Sequence, residues 1–189
     1  MANDFLSDRR KALEDEFFRQ EDQRRLEELR LAMERKATAK ELREVSGIDD
    51  EDVLQGLAAF GINRETLAAV TLAPLVHVAW ADRRVEEKER GTILAQAHEK
   101  GIVPRSPAYD LLASWLSEPP PAELLEVWSA YVRALSPNLP EERRLELRRE
   151  VMSFAREVGK AAGGTLNVGK ITQRQQRVLD RIEEAFSGA

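Results

Sequence analysis

Apolar residues recur at helical spacing along most of this chain, and alternation of the kind that marks a strand is missing. The first periodic stretch predicts a helix from about Asp4 to about Lys36. Acids precede bases at helical spacing, as in Asp15/Arg19 and Glu21/Arg25, which supports an exposed helix by a few tenths of a kcal/mol per pair. Its apolar residues are Phe5, Leu6, Leu13, Phe17 and Phe18, then Leu26, Leu29 and Met33. None falls within residues 19–25, and that gap breaks a heptad, so a long coiled coil is not expected. Two readings stay open for this helix: a solvated rod docking at its two ends, or an arm that binds a partner.

Start and stop signals divide the remainder. Thr38-Ala39-Lys40-Glu41 has the form of a capping box, and Gly47 would stop the short helix it opens. Asp49 can cap a second helix over Glu51–Phe60, ended by Gly61. Asn63 caps a more apolar segment, LAAVTLAPLVHVAWA, in which Pro74 should kink or restart the backbone. Further helices are expected over Glu86–Lys100, from Ser106-Pro107 to Leu116, around Trp128 and Tyr131, and from Pro140 past Val158. Pro119-Pro120-Pro121 reads as a rigid spacer, and Gly163-Gly164 as a loop. Thr172-Gln173-Arg174-Gln175 is a second capping box opening the last helix. The expected fold is all-α: a compact helical bundle of about nine helices with a charged N-terminal helix. Its organisation is read as residues 1–61, the charged helix plus an acidic helical hairpin, followed by a helical domain over residues 62–189.

At 189 residues such a chain buries roughly two thirds of its unfolded surface and needs no staples. It has no cysteine, which fits a reducing compartment. The start is charged throughout, unlike a signal peptide, and no apolar run approaches the ~20 residues of a membrane helix. A cytoplasmic protein with no membrane span is the expectation. Net charge is -5, and its distribution adds detail. Residues 1–61 hold 11 Lys+Arg against 16 Asp+Glu, residues 62–140 hold 8 against 10, and residues 141–189 hold 10 against 8. No segment carries the basic footprint of a nucleic-acid binder, so no nucleic-acid partner is expected.

Several segments invite a chemical reading. Gly164 to Lys170 matches most of a phosphate-loop spacing, but Ile171 stands where Ser or Thr must reach magnesium, and no buried strand precedes it. A glycine loop between helices is the better account. Residues 39–61 outline a helix-turn-helix. A DNA reader presents cations or amides at the start of its second helix, and here Asp49, Asp50, Glu51 and Asp52 stand there, which phosphate would repel. His77 and His98 lie far apart without a nucleophile or paired ligands, so neither a triad nor a zinc site has material. His77 reads as a satisfied core or edge residue, and Trp80, Trp115 and Trp128 as core anchors. No catalytic set emerges, and the chain is read as non-enzymatic.

The most distinctive stretch runs from Leu72 to Glu89. An apolar helix ends at Ala81-Asp82, Val85 turns back inward, and an acidic first turn opens the next helix. Acids there complement the helix dipole. The chemical alternative is that Asp82, Glu86 and Glu89 converge on a hard divalent cation, although Arg83, Arg84 and Lys88 lie among them. Ala81-Asp82, Val85 and Glu89, continuing through Ile93, Leu94, Ala97 and Gly101-Ile102, resemble the motif of the tellurite-resistance TerB-like domains. The resemblance covers residues 64–187, with residues 164–172 standing where those domains repeat the motif. It implies an all-helical fold, acidic residues near helix starts, and a stress-linked role without a defined biochemical activity. Two departures matter. Arg83 replaces the usual glycine, and Val168 and Gln175 stand where a second acidic pair would repeat Asp82 and Glu89. The functional expectation is a protein-interaction module linked to stress response, with a protein partner and no cofactor. The alternative is a divalent-metal sensing or binding domain using Asp82, Glu86 and Glu89.

Overall fold

The computed structural model describes the backbone of residues 2–161 and 170–187, and side chains from residue 16 onward among them. The described residues form nine α-helices and no strand. The chain divides into two units, Met1–Ala37 and Thr38–Ala189.

The first helix, α1, runs unbroken from Ala2 to Ser46 and so passes straight through the expected capping box at Thr38. Nothing between Lys36 and Lys40 breaks a helix, and Ala39 and Leu42, a turn further on, are fully buried in the core. Burying that pair in helical register outweighs one capping hydrogen bond, worth about 1 kcal/mol. In the first unit, side chains from residue 16 to Ala37 are exposed apart from a partly covered Glu21. Leu26, Leu29 and Met33 are 66%, 61% and 72% exposed.

The second unit begins at Thr38 and not at residue 62, because the hairpin shares the core. After Gly47, which takes φ +69°, Ile48 is buried, and α2 (Glu51–Ala59) buries Leu54 and Leu57 while packing on α7. Asp50, not Asp49, caps α2: its carboxylate accepts from the Asp52 and Val53 amides, each at 3.1 Å. Asp49 and Glu51 instead face Arg43, at 3.6 and 3.0 Å. The apolar segment splits as Pro74 predicts, into α3 (Leu67–Val70) and α4 (Ala73–Trp80). The Asn63 side chain accepts from the Glu65 and Thr66 amides at the turn before α3.

α4 is apolar on nearly every side, as a helix in the middle of a bundle must be. Six of its eight residues are buried. It packs against α5 (Glu87–Glu99), α6 (Pro107–Ser117), α7 (Glu123–Leu135), α8 (Glu141–Ala161) and α9 (Gln173–Glu184). A short 3-10 turn, Ser136–Asn138, links α7 to α8. Two long-range bonds fasten the end of α6, whose last carbonyls have no intrahelical partner. The Trp80 indole donates to the Trp115 carbonyl at 2.8 Å, and the Arg90 guanidinium to the Leu116 carbonyl at 2.5 Å. Trp115 and Trp128 are buried as expected, and Trp128 meets Phe186 edge to face.

Candidate functional site

Asp82 ends the turn after α4, and Arg83 beside it takes φ +68°. The tight turn is made without the glycine usual there, with the Arg83 amide donating to the Trp80 carbonyl at 2.8 Å. A side chain in that conformation costs on the order of 1 kcal/mol. Three residues later Glu86 takes an extended backbone as the N-cap of α5. Its amide donates to Glu89 Oε2 at 2.9 Å, so Glu89 reaches back over the first turn and occupies one orphan donor. The Glu86 carboxylate meets Arg84 at 3.1 Å.

The same device recurs at α9, where the Thr172 capping box forms as its sequence predicts. The Thr172 amide donates to Gln175 Oε1 at 3.0 Å, and the Gln175 amide donates to Thr172 Oγ1 at 3.2 Å. The two helix starts face each other. Thr172 Oγ1 donates to the Asp82 carboxylate, at 3.1 and 3.3 Å from its two oxygens. Gln175 Nε2 donates to Glu89 Oε1 at 3.3 Å. Glu89 is 1% exposed and Gln175 is 0% exposed, so this contact lies within the bundle. Burial pushes the Glu89 carboxyl up to about 7, with the Glu86 amide pulling it down, Glu86 and Asp82 charges raising it further, and Arg84 opposing.

Against this geometry the alternative, a cation site on Asp82, Glu86 and Glu89, fits poorly. Among the described residues no group of three or more His, Asp or Glu side chains could hold a metal ion. Both Glu89 oxygens already accept hydrogen bonds, Glu86 turns to Arg84, and Asp82 turns to Thr172. The group facing Glu89 is an amide presenting N–H. A second carboxylate there would repel Glu89 and call for a proton or a cation between them, and Gln175 supplies the complementary donor by itself. Val168, the other departure from the repeat, lies outside the described residues, as does most of the phosphate-loop segment Gly164–Lys170.

The chain matches no family model, no curated protein and no solved structure. Glu89 is a buried carboxyl, raised to about 7, with both oxygens accepting hydrogen bonds at two helix starts. His77 is also perturbed: burial lowers it to about 4, with the Arg181 charge acting the same way. Its Nε2 finds no partner among the described residues, contrary to the expectation of a satisfied histidine, and a neutral ring limits the cost. Sequence reasoning named Asp82, Glu86 and Glu89 but missed that Glu89 caps its own helix. The Glu-x-x-Glu spacing before an apolar face was the available signal.

Proposed function

We propose that this chain is a non-enzymatic helical interaction module of TerB-like type, acting in a reducing compartment, with its contact surface on the amino-terminal helix. The observation that carries the reading is where exposed apolar surface lies. Of nine large hydrophobic side chains exposed among the described residues, six are Phe17, Phe18, Leu26, Leu29, Leu31 and Met33. Water-facing apolar groups gathered on one helix mark an interaction surface. Leu26, Leu29 and Met33 fall at i, i+3 and i+7, one stripe of a helix.

Arg25 and Arg30 flank that stripe at the positions that meet across a pair of helices. Two copies of this chain would set arginine against arginine, so the fitting partner is another protein with acids beside an apolar groove. The association with stress rests on the resemblance at residues 81–102. A photo-crosslinking residue placed at Leu29 in cells should capture one protein, and the purified pair should then bind. Replacing Leu26, Leu29 and Met33 together with Gln should weaken that binding by about tenfold or more while leaving the melting curve of the second unit unchanged. A partner held as tightly by the triple variant, or no discrete adduct at Leu29, refutes the reading.

A further inference from the structure

A second surface, independent of α1, lies along α8. A shallow groove of about 760 Å³ is lined by one face of that helix, from Leu145 to Lys160, and by Glu183 of α9. Its floor is apolar: Met152 is buried beneath it, and Leu145 at one end is 49% exposed. The second unit leaves only two other large hydrophobics exposed among the described residues, Val45 and Val103. The rim is cationic in a chain of net charge -5. Of four bases in the lining, Arg148 is paired with Glu183. Arg149 bonds only the Leu145 carbonyl, at 3.4 Å. Arg149, Arg156 and Lys160 are exposed and have no acidic side chain as a salt-bridge partner among the described residues. They stand at i, i+7 and i+11, spanning roughly 16 Å, about three helical turns.

We propose that this groove docks an acidic amphipathic helix of a partner protein. Apolar residues of that helix would rest on Leu145 and Met152, and its carboxylates would meet Arg149, Arg156 and Lys160. The row of three cations at helical spacing beside an apolar floor matches a helix with acids on its flanks, and arginine binds carboxylates through two parallel bonds. Glu157 and Glu183 in the same lining would repel the uniform charge of a nucleic-acid backbone, and a carboxylate-bearing helix can place its own bases opposite them.

The test uses the full chain and a fluorescein-labelled 16-residue peptide with leucines at helical spacing and glutamates beside them. Its controls are a scrambled peptide of equal composition, a single-stranded oligonucleotide and vesicles containing anionic lipid. Anisotropy should show saturable, salt-weakened binding of the helical peptide and a shift of the Met152 methyl signal. Arg149→Glu with Arg156→Glu should weaken binding by about tenfold or more, whereas Arg64→Glu with Arg133→Glu, the same charge change on exposed positions elsewhere, should not. The proposal is overturned if the scrambled peptide binds equally well, if the oligonucleotide or the vesicles bind in preference, or if both double variants lose affinity alike. It is also overturned if sedimentation shows the chain self-associating through a groove that the Arg149/Arg156 variant closes. A failed α1 crosslink leaves this outcome untouched, since the two surfaces are read by separate variants.

Discussion

Glu89→Gln should change how stability depends on pH, and the size of the change follows from the site. Folding moves the Glu89 carboxyl from 4.5 to about 7, chiefly by burial. The folded protein thus holds this proton more tightly than the unfolded chain. The stability it contributes is complete below about pH 4.5 and is lost as pH rises through about 7. Between pH 5 and pH 8 the loss is about 2–3 kcal/mol, or about 4–12 °C of melting temperature at about 2–4 °C per kcal/mol for a chain of this size. His77 works in the opposite sense. Its folded value of about 4 lies below its ordinary 6.5, so it adds stability as pH rises over that window, equally in both proteins. The quantity to read is therefore the difference between wild type and variant. The glutamine can accept from the Glu86 amide but presents N–H where Gln175 already donates, a loss of about 1 kcal/mol. The variant should be the less stable protein at pH 5 and equal or superior at pH 8. Thermal melts followed by circular dichroism at half-unit steps decide it. Parallel curves for the two proteins refute the buried, proton-holding Glu89.

Deleting residues 1–36 should leave a cooperatively melting second unit, with Thr38 then free to cap the shortened helix; an insoluble or molten product would make the amino-terminal helix a structural strut. Arg83→Gly should raise stability by about 0.5–1 kcal/mol by relieving the left-handed backbone, read as a higher melting temperature, while Arg83→Val should lower it. Millimolar calcium or magnesium should shift the melting temperature by under about 1 °C, because a ligand stabilises by RT ln(1 + [L]/Kd) and the described carboxylates offer no closed ligand set. A large shift that disappears in Asp82→Asn would restore the cation reading.

The helices were legible because their causes are local. Gly47 and Gly101 stop helices with φ of +69° and +76°, Pro74 restarts one, and Thr172 and Gln175 cap the last through bonds spanning three residues. Interactions that close within one turn are written in adjacent letters. The apolar character of α4 likewise announced a buried helix before any contact was known. The sequence also marked Asp82, Glu86 and Glu89 as a group worth attention, but not what the group does.

Tertiary structure decided what local signals left open. A capping box at Thr38 lost to the burial of Ala39 and Leu42, because a core several helices wide outweighs a single end-cap. The acidic hairpin joined the second unit because α2 packs on α7, a contact between elements some seventy residues apart. Asp82 meets Thr172 across 90 residues and Glu89 meets Gln175 across 86, so no spacing rule pairs them. The raised pKa of Glu89 follows from the same cause: desolvation is a property of everything packed around a carboxyl, and only the folded bundle brings that surrounding together.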